Sequence, residues 1–211
     1  IHHSPNGVNI NEGCGSTHMD DLCARVVAGG YDLGAAFDGD ADRCLLVDER
    51  GRVIDGDCVL ALLADKMHCA GSLRGGVSAT VMSNLGLRSF CRERGIEVGC
   101  TKVGDRYVLE EMLEKGWNLG GEQSGHVILS DHATTGDGQL TAAHFLCMVA
   151  ESGKKASELR DLVPSFPQVT VNVPAPNSVK KQVADLPAVR EVAVQIEEAF
   201  GADGRILIRP S

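Results

Sequence analysis

Three aspartates on alternate residues are the feature of this chain that most directly indicates chemistry. Asp38, Asp40 and Asp42 lie in residues 38–43, here called the aspartate loop, between two short apolar runs. Alternate side chains of an extended segment point the same way, so the three carboxylates converge if the backbone also curls, which the small intervening residues permit. Such a group needs a counter-cation, and carboxylate ligands favour a hard divalent ion, Mg²⁺ first, over zinc. A solvated acidic turn is the simpler alternative.

Arg43 directly follows the three aspartates. Its guanidinium would place a fixed positive charge beside the cation, where it is suited to hold a phosphate. The spacing also resembles a calcium-binding EF-hand loop, in which Glu49 would occupy position twelve. That loop needs glycine at position six, where this chain has Arg43, and the following residues indicate a buried strand where an EF-hand has a helix. We therefore reject the calcium-loop interpretation.

A second polar loop, residues 121–126, is predicted to bind hydroxyl groups and is here called the Glu122 loop. Glu122, Ser124 and His126 alternate between glycines that permit close backbone approach. A carboxylate accepts two hydroxyl protons in a fixed geometry, and a serine hydroxyl both donates and accepts. His126 is suited to donate a hydrogen bond or to move a proton near neutral pH. The set fits the vicinal hydroxyls of a sugar, and an ordinary turn with a buried histidine explains the same residues.

Two further loops combine polar residues with a predicted helix start. Lys102 and Arg106 flank a glycine between a predicted strand and helix, where they could direct positive charge at a phosphate or at the aspartates. Asp105 is predicted to cap that helix. Residues 135–138 are predicted first as a helix entry and second as part of a site.

Composition limits the class of protein. The chain has 211 residues, of which 43% are hydrophobic, so it can bury a substantial core. The net charge of −9, without a stripe of Lys or Arg, argues against a nucleic-acid surface. No apolar run approaches the roughly 18 residues of a membrane span, and the first residues lack a signal-peptide design, so the expected location is cytoplasmic. The eight cysteines have no paired spacing and are predicted to be small buried residues in a reducing compartment.

Apolar runs typical of strands alternate with amphipathic segments of helix length, which predicts an α/β protein with mixed sheets covered by helices. Residues 33–37 are predicted to form a strand that delivers the aspartates at its C-terminal end, where α/β folds bind ligands. Asp55 is predicted to cap a helix that ends before Gly71, and residues 164–167 are predicted to be a linker. The other predicted strands are 44–48, 52–54, 77–82, 96–101, 117–119, 127–129, 169–173 and 205–208, and the other predicted helices are 19–27, 85–94, 106–115, 139–151 and 186–200.

Five motifs, in this order, resemble those of the α-D-phosphohexomutases. They are DGDADR at 38–43, TKVGDRYV at 101–108, GGEQSGH at 120–126, TTGDG at 134–138 and RPS at 209–211. Within that family, NINEGCGSTH at 9–18 and VMSNLGL at 81–87 are most similar to the bacterial phosphoglucosamine mutases. The resemblance covers essentially the whole chain.

The resemblance implies an enzyme that interconverts glucosamine 6-phosphate and glucosamine 1-phosphate through a bisphosphorylated sugar, with Mg²⁺ as cofactor and a hexosamine phosphate as substrate. This reaction belongs to amino sugar metabolism and supplies peptidoglycan precursors. Asp38, Asp40 and Asp42 match the Mg²⁺ ligands. The resemblance implies catalytic roles for Arg43, Lys102 and His126, and substrate binding by Glu122, Ser124, His126, Arg209 and Ser211.

Family members have four domains around one cleft, and the resemblance implies a division of this chain into three parts. Residues 1–54 match the end of the second domain with the metal ligands, 55–165 the third domain with the sugar-binding loop, and 166–211 an incomplete fourth, phosphate-binding domain. The family's first domain carries the serine whose phosphate is transferred, and no segment here matches it, so we expect the fragment alone to be inactive. The alternatives are a phosphomannomutase/phosphoglucomutase and a non-catalytic protein that binds sugar phosphates or divalent ions.

Overall fold

A computed structural model describes residues 1–174, 176, 182–201 and 204–208 of the chain. The chain divides into two compact units, Ile1–Phe166 and Pro167–Ser211. The boundary between them falls within the predicted linker at 164–167.

The first unit begins with a short 3₁₀ helix, Gly15–Thr17, and helix α1 (Asp20–Gly29), followed by a three-stranded antiparallel sheet. Its strands are β1 (Leu33–Phe37), β2 (Cys44–Asp48) and β3 (Val53–Ile54), in that spatial order. Phe37 pairs with Cys44, so the six residues between them form the connection from β1 to β2. These residues are the aspartate loop, which therefore lies at one end of this sheet.

A second sheet carries the Glu122 loop. Its strands are β4 (Gly76–Thr80), β5 (Glu97–Thr101), β6 (Leu119–Gly121) and β7 (Val127–Leu129), in the spatial order β5-β4-β6-β7. Strand β4 is parallel to both β5 and β6, and helices α3 (Leu85–Glu93) and α4 (Asp105–Lys115) provide the crossovers that parallel neighbours require. Strands β6 and β7 are antiparallel, and the Glu122 loop joins them.

Helix α2 (Gly56–Cys69) lies at the centre of the first unit. Its residues 56–64 are all buried because it contacts β4, β6, α3 and also α5 (Gly138–Ser152). A helix enclosed in this way is apolar around most of its circumference, as its run of Val, Ala and Leu shows. The short helix α6 (Ala156–Arg160) completes the unit. The largest fully buried side chains include Phe90, Phe145, Leu46, Ile54, Leu60 and Leu63.

The second unit contains a 3₁₀ helix, Val183–Asp185, and the helix α7 (Pro187–Phe200), which has proline in its first turn. The strands predicted at 169–173 and 205–208 are wrong, since neither segment is paired in the part of the chain that the structure describes. The alternation of valine with polar residues favoured the first of them, yet Val169, Val171 and Val173 are all exposed. Alternation alone does not make a strand, because a β-ladder needs a neighbouring strand to receive its backbone hydrogen bonds.

The predicted α/β class with mixed sheets is confirmed, and most elements lie within two residues of their predicted bounds. The capping prediction for α4 is wrong: Gly104 is the N-cap, with a φ of 130°, and Asp105 is the first helical residue. An acidic residue in the first turn still interacts favourably with the helix dipole. Among the described residues, no helix has both the length and the apolar character needed to cross a bilayer.

The prediction that the cysteines are buried holds for only part of the set. Burial raises the pKa of Cys44, Cys58 and Cys91 to about 12. Cys14 and Cys23 are half-buried. The prediction is wrong for Cys69 at the end of α2, Cys100 on β5 and Cys147 on α5, which are all exposed. These elements are partly solvated, and the three side chains lie on their outward faces.

Candidate metal centre and adjoining loops

The aspartate loop brings its three carboxylates together. Each of Asp38, Asp40 and Asp42 offers an oxygen within 4.8 Å of the other two. The backbone curls between them through a turn in which the Ala41 N–H donates to the Asp38 carbonyl oxygen at 3.1 Å. Ala41 has a φ of 59°, a left-handed conformation that few non-glycine residues adopt. The Arg43 N–H donates to Asp38 Oδ1 at 3.1 Å and fixes the first carboxylate.

The chemistry of this cluster fits a hard divalent cation. Asp38 and Asp42 are half-buried, whereas Asp40 is exposed. Asp42 Oδ1 is buried and has no hydrogen-bond partner in the described part of the chain. A buried anionic oxygen without a partner is costly, and a cation held by carboxylate oxygens would satisfy it. The donor set is entirely oxygen, which suits Mg²⁺ better than zinc.

Arg43 lies beside the cluster, where its position in the sequence places it. Its Nε is 3.9 Å from Asp38 Oδ2, and 42% of its side chain is exposed. The same Nε is buried without a hydrogen bond to any described residue. The guanidinium is therefore held next to the carboxylates while its outer nitrogens remain available to an anion.

The Glu122 loop lies directly against the start of β2. Within the loop, the Glu122 N–H donates to the His126 carbonyl oxygen at 2.9 Å and the Gly125 N–H donates to the Glu122 carbonyl oxygen at 3.0 Å. The Cys44 N–H donates to the Gly125 carbonyl oxygen, also at 3.0 Å. Since Cys44 directly follows the aspartate loop, this bond ties the two loops to each other.

The N-terminus of α2 anchors the Glu122 loop from its other side. Asp55 caps the helix by accepting from the Cys58 N–H at 3.0 Å, and its second oxygen accepts from Gln123 Nε2 at 3.1 Å. The Gly56 N–H donates to the Gln123 carbonyl oxygen at 3.0 Å. A Cβ at Gly56 would overlap the Glu122 carbonyl oxygen. Helix and loop are therefore packed backbone to backbone, which only glycine allows.

Glu122 also reaches the loop that carries Lys102. Its Oε1 accepts from the Gly104 N–H at 2.9 Å, and Ser124 Oγ lies 3.4 Å from its Oε2. Lys102 is exposed, with Nζ 5.9 Å from the centroid of the Tyr107 ring. Sequence reasoning missed the bond to Gly104, because a backbone N–H at a helix cap leaves no mark in the residue types.

His126 joins the two loops through its side chain. Its side chain is only 3% exposed, Nδ1 lies 3.1 Å from Asp42 Oδ2, and the Gly136 N–H donates to Nε2 at 3.1 Å. Its predicted contact with substrate stays a prediction, while in the structure both ring nitrogens have protein partners. A Cβ at Gly136 would press on the ring, so that glycine permits the contact.

The start of α5 also packs against the aspartate loop. Residues 135–138 form the entry to this helix, as predicted. Asp137 is the N-cap and accepts from the Leu140 N–H at 2.9 Å, and the Gly138 N–H donates to the Ala41 carbonyl oxygen at 2.9 Å. The structure thus brings together the predicted residues of the aspartate loop, the Glu122 loop and this entry. Two other predicted substrate-binding residues, Arg209 and Ser211, lie outside the described residues.

Comparison with known proteins identifies the family. Residues 55–166, which carry the Glu122 loop and its supporting helices, match the family described as phosphoglucomutase/phosphomannomutase, alpha/beta/alpha domain III. The chain belongs to the phosphoglucomutase/phosphomannomutase family.

The curated relatives extend this likeness over the whole chain. The chain is 49% identical over 212 aligned residues to a phosphoglucosamine mutase of Ruminiclostridium cellulolyticum. It is 50% identical over the same length to a phosphoglucosamine mutase of Mycolicibacterium gilvum. Both alignments cover 100% of this chain and 47% of the relative, so the chain spans about half the length of these proteins.

Two solved structures show the same architecture. A phosphoglucomutase/phosphomannomutase family protein from Burkholderia thailandensis is 30% identical, with a TM-score of 0.65 over 72% of this chain and 33% of its own. An N-acetylphosphoglucosamine mutase from Aspergillus fumigatus, solved in complex with GlcNAc-6P and magnesium, gives a TM-score of 0.74 over 95% of this chain and 47% of its own. At 20% identity the fungal protein shows a shared fold alone.

Proposed function

We propose that this chain carries the cation-binding and sugar-binding loops of a phosphoglucosamine mutase, which interconverts glucosamine 6-phosphate and glucosamine 1-phosphate. The observation that carries the proposal is the junction of the two loops, in which three carboxylates with oxygens within 4.8 Å of one another adjoin a loop that carries the Glu122 carboxylate and the Ser124 hydroxyl. The identity of about half of all residues to proteins named phosphoglucosamine mutase supports the choice of substrate.

Each side chain has a role that its contacts support. Mg²⁺ held by Asp38, Asp40 and Asp42 would neutralise charge on the phosphoryl group in transfer. Arg43, half exposed beside the carboxylates, binds a phosphate oxygen with its outer nitrogens. Lys102 is exposed, and its flexible side chain supplies a further positive charge that can move to contact the phosphate of the substrate.

The Glu122 loop is proposed to orient the sugar. Glu122 Oε1 accepts from the Gly104 N–H at 2.9 Å, whereas Oε2 accepts only a long hydrogen bond of 3.4 Å from the Ser124 hydroxyl, which substrate hydroxyls would replace. A carboxylate fixed through one oxygen presents the other in a defined direction, so it can orient a hydroxyl without losing much freedom on binding.

The family resemblance also supports the parts of the proposal that the described residues do not reach. Residues 1–54, 55–165 and 166–211 would correspond to the end of the second domain, the third domain and part of the fourth, with Arg209 and Ser211 binding the phosphate that is not transferred. The phosphate donor would be a serine of another domain. A polypeptide of these 211 residues alone would then bind cation and sugar phosphate without turning substrate over.

The test is the isomerisation of glucosamine 6-phosphate by the full-length protein that contains this chain. We expect Mg²⁺-dependent turnover that falls by several orders of magnitude when the three loop aspartates are replaced by alanine. Turnover that survives this replacement would contradict the metal assignment.

Comparison of turnover among glucosamine, glucose, mannose and N-acetylglucosamine phosphates tests the substrate. We expect a preference for glucosamine phosphate. A preference for glucose or mannose phosphate would indicate a phosphomannomutase/phosphoglucomutase instead.

A further inference from the structure

The imidazole of His126 lies where three separate segments of the first unit meet. It contacts Asp42 of the aspartate loop, and Gly136 before α5, and it ends the Glu122 loop itself. We propose that His126 is a positioning residue, which holds the Asp42 carboxylate in the orientation that receives the cation. This inference rests on the proposed cation site, and it gives His126 a role that acts through Asp42.

The backbone of Gly136 determines which ring nitrogen carries the proton. A backbone N–H can only donate, so His126 Nε2, which receives the Gly136 N–H at 3.1 Å, must be the unprotonated nitrogen. The ring proton is then on Nδ1, which lies 3.1 Å from Asp42 Oδ2. His126 therefore donates from Nδ1 to Asp42. The Gly136 N–H fixes this direction, because a backbone N–H is always a donor.

This hydrogen bond divides the two oxygens of Asp42 between two tasks. Oδ2 is held by the ring, while Oδ1 is buried and has no hydrogen-bond partner among the residues described. A carboxylate held through one oxygen cannot rotate freely, so its other oxygen keeps one direction. One oxygen of Asp42 belongs to the cluster of carboxylate oxygens that lie within 4.8 Å of one another, and we assign Oδ1 to the cation because Oδ2 already has a partner.

The ring itself is held rigidly. His126 is 2% exposed, and its backbone forms an isolated antiparallel bridge with Arg43, the residue that follows Asp42. On the other side Gly136 is buried against the ring, and the space a Cβ would need is occupied by the imidazole. With both nitrogens bound and almost no solvent contact, the ring can reach a substrate only by giving up one of these bonds.

The experiment measures Mn²⁺ binding to the 211-residue chain by electron paramagnetic resonance, without any sugar phosphate. We expect His126→Leu, which removes the donor, to weaken Mn²⁺ binding about tenfold, the usual effect of losing a residue that orients a metal ligand. His126→Asn carries its amide N–H at the position of Nδ1 and should stay within about threefold of the wild type. Gly136→Ala keeps the histidine and displaces the ring, so it should weaken binding as His126→Leu does.

A matched control separates positioning from a general loss of stability. Val127 directly follows His126 as the first residue of β7, is 2% exposed and has an apolar side chain, so Val127→Ala lowers the melting temperature without touching Asp42. We expect its Mn²⁺ affinity to stay at the wild-type value. Equal weakening by Val127→Ala and His126→Leu, at similar loss of melting temperature, would overturn the positioning role.

The remaining outcomes distinguish the inference from the proposed function. If the wild type binds Mn²⁺ and Asp42→Asn weakens it while both His126→Leu and Gly136→Ala bind normally, the cation site stands and the inference is overturned. If the wild type binds no Mn²⁺, the cation site fails and the inference falls with it.

Discussion

The crowding of charge in the aspartate loop predicts a reversal of stability between the metal-free and metal-bound protein. In Asp40→Asn one carboxylate of the cluster becomes neutral, which removes its repulsion with Asp38 and Asp42. At the upper-limit separation of 4.8 Å each pair repels by about 0.9 kcal/mol in water, the medium appropriate to an exposed side chain. Salt at physiological strength reduces the total for two pairs to about 1 kcal/mol. Without metal the variant should therefore unfold about 2–4 °C higher than the wild type.

Mg²⁺ should reverse that order. At a concentration 100 times its dissociation constant, a cation that binds only the folded protein stabilises it by about 2.7 kcal/mol, and the variant should gain less because it has lost a ligand. The assay is thermal unfolding by circular dichroism, in EDTA and in a Mg²⁺ titration. Asp32→Asn is the control, since it removes the same formal charge at an exposed position on the α1–β1 connection. Its melting temperature should equal that of the wild type both in EDTA and in Mg²⁺. A variant less stable than wild type in EDTA, or one with the full wild-type gain in Mg²⁺, would refute the reasoning.

Three more outcomes follow from the packing. Asn84→Ala should lower the free energy of unfolding, measured in urea, by about 3 kcal/mol. The buried Asn84 side chain accepts from the Phe166 N–H at 3.0 Å and donates to the Phe166 carbonyl oxygen at 2.8 Å. A loss under about 1 kcal/mol would contradict this. Gly56→Ala should lower the melting temperature and weaken sugar-phosphate binding by the full-length protein, since a Cβ displaces the Glu122 carbonyl; unchanged binding would show that the loop tolerates the shift. At pH 8 a thiol reagent should modify at most five of the eight cysteines of the native chain. Burial raises the pKa of Cys44, Cys58 and Cys91 to about 12, so these three thiols stay protonated and unreactive at pH 8. Modification of a sixth cysteine without unfolding would contradict this last prediction.

Local pattern was sufficient for much of the fold. Strands β1 and β7 have the predicted bounds, and Asp55 caps α2 as expected, because each depends on a few neighbouring residues. The curl of the aspartate loop was predictable for the same reason, since its charges and small residues lie within six positions.

The contacts that assemble the candidate site were not predictable from pattern. His126 and Asp42 are 84 residues apart, and neither residue type reveals that the two loops meet. The hydrogen bond from the Gly104 N–H to Glu122 cannot be recognised in the sequence either, because every residue except proline has a backbone N–H. The strand predicted at 169–173 failed for a related reason: its alternation was local, and the pairing that makes a strand is not.

The location of a bound cation tests the central claim most directly. Crystals of the chain soaked in Mn²⁺ would be measured for anomalous scattering at the manganese edge. We predict a single strong peak about 2 Å from carboxylate oxygens of Asp38, Asp40 and Asp42. A peak elsewhere with the aspartate loop empty, or no peak in crystals that retain the fold, would contradict the account.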